Sequence, residues 1–227
     1  MPTPLSTPQI VDACIRTQTP FRMAPAGLVP VIPGAIISGP VRPVQHGGSV
    51  DIFFEALLDA QPGEVLVIDN QGRTDEACIG DLVVLETRFA GLKGIVLWGL
   101  HRDQEELEAI GFPVFSYGRL PSGPRRPVER AAEAFAWAHV GDFQVTPADT
   151  VFADSNGAIF VATDTLPVIT PVAREIQAAE QAQAQRVGEG IPLREQFQVA
   201  AYLAQRQQEP SLTFREHLRR LRQAVEE

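Results

Sequence analysis

Apolar positions in the middle of the chain alternate between two periods. The stretch SVDIFFEALLDAQPG (49–63) sets Ile52, Phe53, Ala56, Leu57 and Ala60 at helical spacing and ends on Pro62-Gly63. That period marks one apolar helix face, and Pro-Gly stops the helix. EVLVID (64–69) is an unbroken apolar run and predicts a strand, with NQGR as the turn after it. DEACIG (75–80) reads as a short turn or helix. From Leu82, a stripe of Leu82, Leu85, Phe89 and Leu92 fits one helix face, with Gly91 and Gly94 at its end. GIVLWG (94–99) predicts a second buried strand, DQEELEAIG (103–111) a short helix closed by glycine, and FPVFSYG (112–118) a third strand. Strand, helix, strand, helix, strand implies a parallel sheet with right-handed crossovers.

The flanks follow other rules. A short helix is expected around Ile10–Arg16. Residues 24–45 interleave apolar runs with Pro and Gly, which predicts short strands at edges or in connections rather than central ones. Residues 140–162 alternate at period two around Asn156-Gly157, a strong hairpin signal for an antiparallel β element. From Pro171 the composition turns to Ala, Gln, Glu and Arg, and a last stripe of Phe214, Leu218, Leu221 and Val225 is amphipathic at helical spacing. The expected organisation is an α/β domain over residues 1–170 and a C-terminal helical extension over 171–227 that packs on its own or a neighbouring subunit.

Composition narrows the functional classes. The chain has 227 residues, 44% of them hydrophobic, enough for a substantial core. A formal net charge of -9 argues against a dedicated nucleic-acid binder, so no direct nucleic-acid contact is expected. No apolar run approaches the roughly 18 residues a membrane helix needs. The N-terminal stretch lacks a basic segment followed by an apolar one, so the cytoplasm is the expected location. Cys14 and Cys78 are the only cysteines and read as ordinary buried thiols.

Candidate chemistry concentrates in Gly80–Asp103, where twenty residues separate Asp81 from Arg102-Asp103. In a right-handed strand–helix–strand unit, the helix start and the end of the second strand meet at one sheet edge, where open α/β sheets bind ligands. The helix start at Gly80, Asp81, Leu82 and Val83 offers backbone N–H groups to an anion. Arg102 adds a planar fork for a carboxylate or phosphate. Asp103 and Asp81 supply hard oxygens suited to Mg²⁺ or Mn²⁺. Together these groups suit a small 2-oxo acid, with the metal and Arg102 stabilising an enolate. The same residues also fit a plain surface, with Arg102 and Asp103 solvated and Asp81 simply starting a helix. His46 and His101 are candidates for proton transfer, whereas His139 and His217 read as packing or surface residues. Asp75 and Glu76 precede Gly80 and are placed to support it. Arg125 and Arg126 form either a solvated turn or a second anion anchor.

The pattern GDL…A…GLKGIVLWGLHRD…E…GFPVFSYG…P.GPRR, with ALLDAQPGEVLVID before it and VTPADTVFADSNGAIFV after it, resembles the RraA-like family. That family includes regulators of ribonuclease activity A and bacterial 4-hydroxy-4-methyl-2-oxoglutarate/4-carboxy-4-hydroxy-2-oxoadipate aldolases. The resemblance spans roughly residues 10–180. It implies a layered α/β/β, swivelling-domain-like fold. It also implies a divalent-metal-dependent lyase that yields pyruvate from a 4-hydroxy-2-oxo acid, or by decarboxylating oxaloacetate, through a metal-bound enolate. By the resemblance, Asp103 ligates the Mg²⁺ or Mn²⁺, Asp81 assists through water, Arg102 binds substrate and steadies the enolate, and the Gly80–Val83 backbone holds the substrate carboxylate. A homotrimer or homohexamer with sites near its interfaces is implied as well. The alternative within the family is a non-catalytic regulator that binds a protein partner such as a ribonuclease. One departure stands out: Trp98 occupies a position where many members carry an acidic residue or Asn, and its indole is expected to narrow the pocket.

Overall fold

The computed structural model describes residues 3–125 and 129–221. In chain order the elements are α1 (Thr7–Thr17), β1 (Arg22–Met23), β2 (Val29–Pro30), β3 (Ile37–Gln45), α2 (Asp51–Leu58), β4 (Val65–Asp69), β5 (Ala77–Ile79), α3 (Asp81–Phe89), β6 (Gly94–Trp98), β7 (Leu100–His101), α4 (Gln104–Ile110), β8 (Val114–Ser116), β9 (Ala138–Val140), β10 (Phe143–Val145), β11 (Asp149–Asp154) and β12 (Gly157–Ala162). After them come α5 (Leu166–Gly188), α6 (Leu193–Gln196), α7 (Val199–Gln208) and α8 (Phe214–Arg220).

The main sheet has eight strands in the order β1-β12-β11-β3-β4-β6-β8-β2. β3, β4, β6 and β8 run parallel, as the alternation of strands and helices predicts. β11 and β12 form the antiparallel hairpin. Asp154 pairs with Gly157, so the turn residues are Ser155-Asn156, one step before the predicted Asn-Gly pair. Both faces of the sheet are covered, which explains the continuous apolar runs of β4 and β6. Leu66 and Ile68 of β4 pack with Ile52 and Phe53 of α2 and Val84 of α3, while Val65 and Val67 pack on the other face with Ala138 and Val140 of β9, Val145 of β10 and Phe160 of β12. The result is the layered α/β/β arrangement expected.

Three local expectations change. First, β3 holds Pro40 and Pro43 yet lies inside the sheet order. It pairs with β11 through Ile37–Pro40 and with β4 through Val41–Gln45, so each half uses one side only. A proline that cannot donate is tolerated there as on an edge. Second, residues 77–79 form β5 rather than a turn or helix; this strand pairs in parallel with β7 in a separate two-stranded sheet. Third, Leu82, Leu85 and Phe89 of the predicted stripe face outward, Leu82 71% and Phe89 88% exposed, whereas Leu92, just past α3, is buried as expected; the buried face of α3 is Val83, Val84 and Thr87. Both faces of this helix carry apolar residues, and periodicity alone does not say which one meets the sheet.

The chain divides into two compact units: residues 1–8 with 20–166, and residues 9–19 with 167–227. The second unit joins α1 to α5–α8. Within it, Thr213 and Glu216 form a reciprocal capping box that starts α8. Leu218 of the predicted stripe is buried, and His217 Nε2 lies 2.8 Å from Phe197 O, whereas Val225 lies outside the described residues. No helix among the described residues is long and apolar enough to cross a membrane.

Candidate functional site

The small β5–β7 sheet builds the corner. Ala77 pairs with Leu100 and Ile79 with His101, and Arg102 N–H donates to Ile79 O at 3.0 Å. Two parallel strands ending side by side bring the next residues together, Gly80-Asp81 on one and Arg102-Asp103 on the other. Gly80 then begins α3 as its N-cap, and Asp103 begins α4 as its N-cap.

Asp103 adopts φ 61, a left-handed conformation that Asp tolerates better than most side chains. Its carboxylate Oδ2 accepts the Asp81 N–H at 3.3 Å and lies 3.4 Å from Arg102 Nε. Asp81 Oδ1 accepts the Leu82 N–H at 2.8 Å. Two amides of the expected cradle therefore already bond protein carboxylates, Asp81 N–H that of Asp103 and Leu82 N–H that of Asp81. The Asp81–Asp103 bond, at 3.3 Å, is at the long end for N–H···O. Gly80 makes the approach possible: a Cβ there would stand 2.1 Å from Asp103 Oδ2 and 3.1 Å from Arg102 Nε.

The corner borders a cavity of about 340 Å³ lined by His46, Phe54, Cys78, the Gly80–Val83 segment and Arg102. Arg102 keeps half of its side chain exposed, so its fork can meet a ligand. Among the described residues, no three His, Cys, Asp or Glu side chains converge as a ready metal cage. A hard cation such as Mg²⁺ keeps several waters and needs only one or two carboxylates plus ligand oxygens. Asp103 and Asp81 could supply those one or two carboxylates: Asp81 lines the cavity, and Asp103 Oδ2 packs against the Gly80 backbone beside it.

The other candidates separate. His101 is buried within the fold: Nε2 donates to Gln104 Oε1 at 2.7 Å and Nδ1 accepts from Ser116 Oγ at 2.6 Å. Both ring nitrogens are thus committed to positioning α4 against β8. His139 N–H donates to Asp69 Oδ2 at 3.0 Å. Asp75 and Glu76 pair with Arg73. Trp98 does not line the cavity; its indole covers Gly72 and meets Tyr117 edge-on at 4.7 Å. Arg125 is exposed and does not line the cavity, and Arg126 lies outside the described residues. Cys78 lines the cavity, but burial pushes its thiol well above the ordinary range, and burial lifts the Cys14 thiol to about 11.

His46 does line the cavity, and Nδ1 lies 2.8 Å from Asn70 Oδ1. Asn70 was absent from the candidates read from the sequence. Its signal is a polar residue just past the carboxyl end of a buried parallel strand, where α/β sheets place ligand groups.

Known proteins share this sequence pattern and fold. The sequence model of the family described as RraA-like: Aldolase/RraA matches residues 7–160. The "Putative 4-hydroxy-4-methyl-2-oxoglutarate aldolase" of Halalkalibacterium halodurans is 24% identical over 156 residues, 68% of this chain and 73% of that protein. The crystal structure of Streptomyces coelicolor RraAS2, "an unusual member of the RNase ES inhibitor RraA protein family", superposes with a TM-score of 0.69 at 25% identity, covering 80% of this chain and 93% of that one. An uncharacterized protein from Pseudomonas syringae shares the fold, with a TM-score of 0.70 at 22% identity over 84% of this chain and 92% of that one.

Proposed function

Since the chain belongs to the RraA-like family, we propose that it is a divalent-metal-dependent lyase that forms pyruvate from a 4-hydroxy-2-oxo acid or by decarboxylating oxaloacetate. The supporting observation is that Arg102 lines the cavity together with the start of α3, with Asp103 paired to Arg102 and to the Asp81 N–H behind it.

Each residue has a task that follows from its chemistry. The first-turn amides of α3 take the substrate carboxylate, competing with Asp103 for the Asp81 N–H. Asp103, assisted by Asp81, would hold the Mg²⁺ or Mn²⁺. When bound, the cation withdraws electron density from the 2-keto group as a Lewis acid. Arg102 stabilises the negative charge that grows on the 2-oxygen as the carbon–carbon bond breaks, and fixes the orientation of the acid through its fork. Bond cleavage of both substrates builds charge at the same oxygen, so one corner serves both.

We place the protein in the cytoplasm as a homotrimer or homohexamer. Phe54 and Leu58 on α2 and Leu82, Leu85 and Phe89 on α3 are exposed, and a subunit contact is the natural cover for them. The same exposed face favours the second reading, a regulator that binds a protein such as a ribonuclease.

A substrate panel separates the two. Pyruvate release is measured from 4-hydroxy-4-methyl-2-oxoglutarate and oxaloacetate with Mg²⁺, with Mn²⁺ and with EDTA. Turnover that requires metal, and that drops about 10²–10³-fold in Arg102→Ala and Asp103→Ala, is expected. No turnover of the native chain across the panel rejects the lyase.

A further inference from the structure

His46 follows β3 directly, and its backbone N–H donates to Asp69 O at 2.9 Å. The residue is 6% exposed and lines the cavity shared by Gly80 and Arg102. Two contacts fix its ring. Phe53 stacks on one face, with centroids 5.2 Å apart and planes 5° from parallel. Asn70 Oδ1 lies 2.8 Å from Nδ1. An amide oxygen only accepts, so Nδ1 carries the hydrogen and Nε2 keeps its lone pair. Nε2 has no hydrogen-bond partner among the described residues, and His46 lines the cavity with Gly80, Asp81 and Arg102.

Asn70 is 1% exposed, and its Nδ2 is buried without a partner. An unpaired buried amide is a cost for the fold and calls for a reason. Holding the imidazole in one tautomer supplies it. Burial draws the His46 pKa below 6.5, against the opposing pull of the Asn70 bond and the Glu76 charge. The ring is therefore neutral at pH 7. The other charged groups at the cavity are Asp81 and Arg102.

We infer that His46 Nε2 takes and returns the proton in carbon–carbon cleavage of the 4-hydroxy-2-oxo acid. This rests on the lyase reading above. Nε2 removes the proton of the 4-hydroxyl, and C4–O becomes a carbonyl. The C3–C4 bond breaks, and its electron pair moves into C2–C3 as the 2-keto oxygen becomes an oxyanion beside Arg102. The imidazolium then gives that proton to C3, C2=O re-forms, and pyruvate and a carbonyl product result. No oxidant or further reactant enters. Oxaloacetate needs no such acceptor: its departing carboxylate has no proton to lose, and C3 can take one from water.

The difference between the two substrates is the test. With Mg²⁺ or Mn²⁺ supplied to the full chain, His46→Gln is expected to lower kcat for 4-hydroxy-4-methyl-2-oxoglutarate about 10²–10⁴-fold. KM and oxaloacetate turnover should stay within about threefold, which also reports a folded site. In Asn70→Asp, a charged acceptor on Nδ1 should move the acid limb of cleavage upward by about one pH unit or more. Nitrogen-15 NMR of the metal-free chain should show Nδ1 protonated and Nε2 bare. Retained cleavage in His46→Gln, equal losses on both substrates, an unmoved limb or a protonated Nε2 overturns the assignment and leaves native lyase activity standing. A native chain inert toward both substrates removes the reading beneath it and the assignment with it.

Discussion

Gly80→Ala isolates the corner with one methyl group. Gly80 has φ -142 and ψ -165, extended backbone that any residue adopts, so the substitution adds no backbone strain. Its effect is contact alone. The new Cβ would lie 2.1 Å from Asp103 Oδ2, and ordinary contact requires a retreat of more than about 1 Å. That retreat breaks the 3.3 Å bond to Asp81 N–H and disturbs the 3.4 Å Arg102–Asp103 pair. The lost carboxylate at the helix start is worth about 0.5–1.5 kcal/mol. The half-exposed ion pair adds only about 0–1 kcal/mol after solvent screening. The total of about 0.5–2.5 kcal/mol lowers Tm by roughly 1–10 °C in a chain of this size. Turnover should suffer far more, because a displacement of about 1 Å in a positioned group costs on the order of 10²-fold. Urea and thermal unfolding, run beside pyruvate release from oxaloacetate, read both quantities. Gly188→Ala is the control, since a Cβ there meets nothing within 4 Å. Native turnover in Gly80→Ala would falsify the assignment of the corner as the reacting site.

Stability should also depend on pH through two histidines. Burial lowers the pKa of both His46 and His101 below 6.5, so the unfolded chain binds protons more readily. Stability is then fully present above about 6.5 and lost as pH falls through the lowered folded values; urea midpoints at pH 7.5 and 5.5 should show the drop, and His101→Gln should flatten it. Gly72→Ala places a side chain at φ +64 with its Cβ 2.6 Å from the Trp98 ring. A loss of about 2–3 kcal/mol with a shifted Trp emission is expected, and unchanged unfolding refutes the packing described. If the proposed oligomer forms through α3, Leu85→Glu with Phe89→Glu should convert it to monomers in sedimentation velocity, and an unchanged sedimentation coefficient rejects α3 as a subunit contact.

Why one part of the corner could be read from the chain and another could not is a matter of what each signal encodes. β4 and β6 carry apolar side chains on both faces because both faces are covered, so the run itself announces a central strand. Spacing then places Asp81 near Arg102, because a crossover returns the chain to the edge it left. The strand that does the placing is different: β5 has three residues and finds its partner β7 only after the crossover is complete. A pairing that depends on a segment twenty residues away leaves no local period to detect. The same holds for the orientation of α3. Val83, Val84 and Thr87 are smaller than Leu82, Leu85 and Phe89, so size favoured the outer stripe as the core face. The sheet takes the smaller, β-branched side instead and leaves the larger one outside. Leu82 of that exposed stripe also lines the cavity, which is why the proposed subunit contact and the site are best tested together.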